Sequence, residues 1–349
     1  MKILYSLFVF VVLFSVLSPV FSQKVLTRTQ YEFIADNREF YSPYGFPQTI
    51  MGSRASFEAG FKIDSLERIM FGGSYLYMFG APVFEKPFVP TLYYLYQQKK
   101  DSSLPHIKVY LGSFPRQISF PLAMYTDSLY YFRPNTQGIT AFVRKSDFLI
   151  EQLHVSQNFV FDWMTLENYG EKEEFLVGVS GALQYKQFVV TDNFYYQHRA
   201  QDNAGGGKDI IDNGAYSIMF GKNFRRSPKN TDTTGLTSPL CKPRAKIEVG
   251  NLLTWEQVRP QNTRYSQGLL AACTLYLTEK IDFAATYYKG DGTHLILGDP
   301  LYRSGDYMRF DAYYYFRKTE RVHAYFQYSL HSIQGEINHS QKLYVRVTI

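Results

Sequence analysis

Hydrophobic and polar residues alternate along most of this chain with a period of two. From Met308 to Phe316, the residues Met308, Phe310, Ala312, Tyr314 and Phe316 fall on one face, and Arg309, Asp311, Tyr313 and Tyr315 fall on the other. Arg317-Lys318-Thr319-Glu320 breaks the pattern, after which Val322, Ala324, Phe326, Tyr328 and Leu330 oppose His323, Tyr325, Gln327 and Ser329. Successive strand side chains point to opposite faces, so each run predicts a strand with one apolar and one polar side. Two such runs joined by a few polar residues predict an antiparallel hairpin.

The same unit recurs through the sequence. Ala55, Phe57, Ala59, Phe61 and Ile63 alternate with Arg54, Ser56, Glu58, Gly60 and Lys62, and Phe175, Val177, Val179, Gly181 and Leu183 lie on one side of a hairpin with Gln187 to His198. Ile247, Val249, Leu253 and Trp255 oppose Lys246, Glu248, Thr254 and Glu256, and the chain ends with Leu343, Val345, Val347 and Ile349 against Lys342, Tyr344, Arg346 and Thr348. From Ser53 onward the pattern gives about 15 strands; a candidate first strand over Thr29 to Ile34 makes about 16, the even number that outer-membrane barrels favour, with 14 as the next count. Connections alternate in length. Residues 64–67, 101–105, 278–280 and 317–320 and the turn near 186 are short, whereas Pro115 to Pro134, Asp202 to Asp212 and Gly290 to Gly305 are long. Short turns at one end and long loops at the other mark a transmembrane barrel. Arg225 to Pro243 is a long segment on the short side.

Composition and the N-terminus narrow the class. Lys2 precedes an apolar run from Ile3 to Val20 that ends in Phe21-Ser22, so residues 1–22 are expected to be a signal peptide and residues 23–349 the barrel. The rest of the chain has no apolar run long enough for a membrane helix, which leaves a closed barrel or a soluble exported fold. A β-sandwich alternates in the same way, but so many strands without a dividing linker exceed one sandwich. Aromatic residues make up 17% of the chain, with 30 Tyr against 2 Trp, as aromatic girdles require. The fold class read here is therefore all-β: a transmembrane, antiparallel, up-and-down β-barrel of the bacterial outer membrane. The net charge of +6 is spread thinly and does not point to nucleic acid. The two cysteines, Cys241 and Cys273, are too few for a disulfide scaffold.

Candidate chemistry lies on the polar faces. Arg54, Glu58, Lys62, Lys108, Lys246, Glu248, Glu256, Asp282, Arg309, Asp311, His323 and Arg346 would each cost several kcal/mol in an apolar core, and a hydrated lumen removes that cost. The Pro115 to Pro134 segment carries Phe120, Leu122, Met124, Leu129, Tyr130 and Tyr131, too apolar for a solvated loop. It is expected to fold into the lumen, with Arg116, Asp127 and Arg133 facing the water path. These residues define a candidate pore lining of mixed sign with a slight basic excess. Gly205-Gly206-Gly207-Lys208 lacks the spacing of a phosphate loop, and the seven histidines are scattered, so neither cofactor nor metal is expected. His323 and Ser329 share a face but stand six residues, about 20 Å, apart. The sequence thus reads as a passive channel for small hydrophilic solutes rather than an enzyme. The alternatives are a structural or assembly barrel of an envelope or secretion complex and, less favoured, a barrel enzyme. Outer-membrane lipid, the barrel-assembly machinery and small polar solutes are the expected partners.

Asp36-Asn37-Arg38-Glu39-Phe40, Pro47-Gln48-Thr49-Ile50-Met51-Gly52, Leu111-Gly112-Ser113-Phe114-Pro115-Arg116, Asp127 to Asn135 and Glu174 to Gly178 resemble segments of porin-like outer-membrane β-barrels of Gram-negative bacteria. The resemblance covers most of the chain after the leader. It implies an outer-membrane barrel and names no solute. The last residue departs from the family pattern: many such barrels end in Phe, and this chain ends in Ile349.

Overall fold

The computed structural model describes residues 25–80, 87–98, 104–164, 173–201, 209–225, 243–259 and 261–349. The expected leader, the Asp101-Ser102-Ser103 turn, the Gly205-Gly206-Gly207-Lys208 motif, Cys241 and residues 226–242 lie outside the described residues.

Sixteen strands close into one antiparallel barrel. They are β1 (Val25–Glu39), β2 (Gln48–Lys62), β3 (Glu67–Met78), β4 (Phe88–Gln97), β5 (His106–Pro115), β6 (Asn135–Lys145), β7 (Leu153–Trp163) and β8 (Glu174–Tyr185). The second half comprises β9 (Phe188–Gln201), β10 (Asp209–Arg225), β11 (Pro243–Val258), β12 (Arg264–Tyr276), β13 (Ile281–Gly290), β14 (Asp306–Lys318), β15 (Val322–Ile333) and β16 (Glu336–Thr348). Each strand pairs with its neighbours in sequence, and β1 pairs with β16, from Gln30↔Thr348 to Glu39↔His339, to close the wall. Closure leaves no unpaired edge, the condition for strands to cross lipid.

The predicted alternation sets the two faces. Phe57, Phe310, Tyr314, Phe316 and Phe326 are exposed on the outside, whereas Arg309, Asp311 and Gln327 are buried in the bore. The start of β1 and the end of β16 lie at the end that carries the short turns 63–66, 277–280 and 319–321, the periplasmic end of an outer-membrane barrel. The opposite, extracellular end carries the longer connections and one tight exception, Gln334-Gly335. Both residues of that turn have positive φ, 52° and 91°, a left-handed two-residue hairpin that suits the twist of the strands.

Several boundaries differ from the sequence reading. β1 extends over Val25–Glu39 rather than Thr29 to Ile34, and β2 begins at Gln48 rather than Ser53, because their extracellular ends are polar on the outer face and do not read as amphipathic. Asp209 to Asp212, read as loop, opens β10 by pairing with His198 to Gln201. The Pro115 to Pro134 connection contains a short helix, α1 (Asp127–Phe132).

Candidate functional site

The extracellular half of the bore is filled by protein. Residues 116–134 cross it from wall to wall. On one side Phe120 packs on Tyr195 of β9, with ring centroids 6.0 Å apart. On the other side the Tyr131 ring lies under the guanidinium of Arg54 on β2, 4.8 Å away. Gly178 on β8 admits Phe120: a Cβ there would sit 2.7 Å from its ring, so any side chain would push the loop off the wall. Residues 291–305 enter as a second loop. The two are joined by Thr126 N–H donating to the Leu297 carbonyl and Asp299 N–H donating to the Leu122 carbonyl. Met124, Tyr125, Leu295, Leu301, Tyr302 and the wall residues Tyr195, Tyr288 and Tyr307 are almost completely buried between them.

Charge pairs pin these loops to the wall. Asp127 on α1 pairs with Lys342 of β16 and lies within 3.9 Å of Arg38 on β1. Burial would raise its carboxyl, but the Lys342 and Arg38 charges overcome that and hold it well below the usual carboxylate range. Asp299, in the second loop, has the opposite balance: burial dominates, a hydrogen bond from Leu301 N–H only partly offsets it, and its carboxyl is raised. Arg116 pairs with Asp162 at 2.8 Å and donates to the carbonyls of Arg133 and Asn135, while Arg133 reaches Glu174 at 3.7 Å. Arg116, expected to face the water path, is instead a buried staple at the base of the loop, because only the Asp162 carboxylate and those carbonyls compensate its burial.

The remaining candidates of the pore lining do not converge on one place. Lys246 pairs with Glu248 at 2.7 Å, Asp282 with Lys318 at 2.7 Å, and Arg309 with Asp311 at 2.7 Å. Arg54 pairs with Glu32 at 3.0 Å, Glu58 meets Arg28 at 3.7 Å, and Lys108 lies over the Tyr110 ring. Glu256 stands opposite Arg264, Lys62 opposite Arg68, and Arg346 opposite both Glu32 and His323. His323 sits among Tyr315, Tyr325 and Tyr344, far from Ser329, which donates to Asp311. Cross-strand register does bring another pair together: His331 Nε2 lies 3.1 Å from Ser340 Oγ, with Tyr307 Oη on Nδ1 at 2.8 Å. His331 and Ser340 line a cavity of about 490 Å³ that is also walled by Tyr44, Phe46 and Asp127, and neither imidazole nitrogen is bonded to a carboxylate among the described residues.

A different cluster lies on the outside of the wall, at the extracellular ends of β1, β2 and β16. His339 Nε2 donates to Glu39 Oε2 at 2.7 Å, and the imidazole stacks on Tyr328 at 6.3 Å. Asn37 Nδ2 donates to Glu39 Oε1 at 3.0 Å and to Gln341 Oε1 at 2.8 Å, and Thr49 Oγ1 donates to Asn37 Oδ1 at 2.8 Å. Register makes this cluster: Asn37 stands opposite Gln341 and Thr49, and Glu39 opposite His339. Glu39 and His339 side chains are 39% and 34% exposed, so the dyad is reachable from outside. Just towards the periplasm lie the outward rings of Phe33, Tyr77 and Phe79, in contact with one another. Aromatic girdles of outer-membrane barrels flank the apolar band at the membrane interfaces, and the cluster sits beside such a group of rings. Polar and ionisable groups held together at such a place mark a site. With Nε2–H held by Glu39, Nδ1 is the basic nitrogen, and Gln341 keeps its Nε2 N–H groups without a partner among the described residues.

The sequence reading missed this cluster because β16 was read only from Leu343 and β1 only to Ile34. The signal was there: Asn37 and Glu39 continue the outward face of Phe33 and Ala35, and His339 and Gln341 interrupt the outward face between Ile337 and Leu343, as adjacent polar pairs.

Comparison with known proteins fits this picture and corrects one expectation. Residues 22–345 match the profile of the lipid A 3'-O-deacylase-type family. No curated protein matches. Among solved structures, the chain is similar to an anion-selective porin from Comamonas acidovorans, at 11% identity and a TM-score of 0.51 over 94% of this chain and all of that one. It is equally similar to a loop-deletion form of OmpT from Vibrio cholerae, at 11% identity and a TM-score of 0.51, again over 94% of this chain and all of that one. These likenesses establish the outer-membrane barrel fold. The expectation that the chain is not an enzyme is overturned by the family match. That expectation rested on distances within single strands, and the outward cluster is assembled across three.

Proposed function

The chain belongs to the lipid A 3'-O-deacylase-type family, and from that premise we propose that it hydrolyses an acyl ester of an outer-leaflet lipid of the lipid A class at the outward cluster of β1, β2 and β16. The observation that carries this reading is the His339–Glu39 pair, partly exposed on the outer wall beside the outward rings of Phe33, Tyr77 and Phe79. Glu39 fixes the imidazole with Nδ1 available; Nδ1 takes a proton from water as its oxygen attacks the acyl carbonyl. The Gln341 amide donates to the developing oxyanion, and the imidazolium returns the proton to the departing alkoxide oxygen. The products are a free fatty acid and a lipid alcohol. Asn37 and Thr49 hold Glu39 and Gln341 in place. Refolded protein in vesicles containing lipid A should release fatty acid and leave the lipid one acyl chain lighter by mass spectrometry; an unchanged lipid mass after prolonged incubation would contradict the reading.

A second reading, a passive channel for small hydrophilic solutes, is supported by the charged periplasmic half of the bore, around Lys246–Glu248 and Asp282–Lys318. Conduction would require the two inserted loops to move aside. Planar-bilayer recording decides it: steady single-channel steps support the channel, and silence removes it.

A further inference from the structure

Below the inserted loops, on the periplasmic side, the bore contains a cavity of about 340 Å³ walled by β1 to β4 and β16 and covered by Pro115 to Gln117, Tyr130 and Pro134. Its wall carries a lateral row across three strands. Glu32 on β1 stands directly opposite Arg54 on β2 and directly opposite Arg346 on β16. Adjacent strands lie about 4.8 Å apart, so the two guanidinium groups flank one carboxylate within reach of a single small ligand.

The oxygens of that carboxylate are engaged elsewhere. Glu32 Oε2 accepts from Arg54 Nη1 at 3.0 Å, and Oε1 accepts from the Tyr344 hydroxyl at 2.7 Å. Glu58 in the next row faces Arg28. Arg346 therefore has no carboxylate partner among the described residues. Arg54 is 4% exposed, and its Nε and Nη2 N–H groups have no acceptor on the protein although both are buried and Arg54 lines the cavity. Buried guanidinium donors without acceptors are expensive, and their planar fork matches the oxygens of a phosphate or carboxylate.

We propose that this basin binds a small free oxyanion of the phosphate class, inorganic phosphate or a soluble phosphomonoester, entering from the periplasmic end and held between Arg54 and Arg346. Its charge offsets Arg346 and the Arg54 guanidinium that lines the same basin, and a small turn of the Arg54 side chain brings its unpartnered Nε and Nη2 N–H groups onto the ligand's oxygens. The site is separated by the barrel wall and the inserted loops from the outward cluster and works independently of it.

Isothermal titration of the refolded protein in detergent, with sodium phosphate, glycerol phosphate and sodium chloride at matched ionic strength, tests the proposal. Saturable binding of at least one phosphate species and none of chloride is expected. Arg346→Gln should weaken that binding roughly tenfold, and Arg346→Lys, which keeps the charge but not the fork, by less. Heat-modified gel mobility verifies that each variant is folded; should Arg346→Gln fail to fold, the Lys variant and the chloride comparison decide. Absence of saturable phosphate binding by the wild type, equal binding of chloride, or undiminished binding by a folded Arg346→Gln protein would overturn it.

Discussion

The inner and outer faces of β1 and β16 use the same four-residue stretches for opposite ends. Inward, Asp36, Arg38 and Lys342 form buried charge pairs that hold α1 across the bore. Outward, one residue along in each case, Asn37, Glu39, His339 and Gln341 form a hydrogen-bonded cluster that remains half-exposed at the lipid boundary. Both faces are polar here; the surroundings differ. Inside, Asp36 and Asp127 are each matched by Arg38 and Lys342, which makes a rigid lock. Outside, partial exposure leaves a basic nitrogen and an amide donor open to a substrate. Period-two alternation alone separates structural polarity from chemical polarity in this molecule.

Substitutions on the two faces should therefore have different readouts. Among the residues that support His339, the largest effect belongs to Glu39→Gln, whose amide N–H can donate to Nε2 and leave the ring proton on Nδ1, the wrong tautomer for a base: ester hydrolysis should fall about 10²–10⁴-fold, with folding unchanged. An undiminished rate would remove Glu39 from the site. Lys342→Met on the inner face leaves Asp36 and Asp127 to share Arg38 and should lower stability by about 1.5–3 kcal/mol in refolding titrations, while the hydrolytic rate per folded molecule stays within a few-fold. The pH dependence of this lock has a definite sign. The Asp127 carboxyl is depressed in the folded protein, so its contribution is present at neutral pH and is lost only as pH falls below the ordinary carboxylate range. Asp127→Asn should abolish that acid-sensitive component, and an acid transition unaltered in this variant would contradict the assignment.

Farther down the wall, Phe310→Arg should cost about 2–4 kcal/mol in lipid vesicles, whereas Arg at Tyr313, on the bore side of the same strand, should be tolerated much better. Equal costs would break the inside–outside distinction itself. The smallest effect is expected from Thr49→Val, which removes one neutral hydrogen bond to Asn37 worth about 1 kcal/mol and should slow hydrolysis only several-fold.

Much of the barrel was legible because its driving pattern is local. The Met308 to Leu330 hairpin, the strand count and the contrast between short turns and long loops all follow from alternation. The in-folding of residues 115–134 was legible too, since Phe120, Met124 and Tyr131 have no place in a solvated loop. The companion loop carried the same signal in Leu295, Leu297, Leu301 and Tyr302, but a long connection at the extracellular end reads simply as a loop. The outward cluster was hidden for a deeper reason. Asn37 and Gln341 are 304 residues apart and meet only because the barrel closes β1 on β16. No spacing along the chain encodes that contact. His331 and Ser340 show the same limit on the inner face, where diagonal register rather than sequence distance brings them within 3.1 Å.

The most direct test compares two adjacent residues of β16 that face opposite ways. His339→Ala and Ser340→Ala proteins, refolded into lipid A vesicles and normalised for folded material, should differ sharply in fatty-acid release measured by mass spectrometry. The outward site requires that His339→Ala lose essentially all activity while Ser340→Ala retains it. Loss of activity in the Ser340 variant with retention in the His339 variant would move the chemistry into the bore and contradict the account.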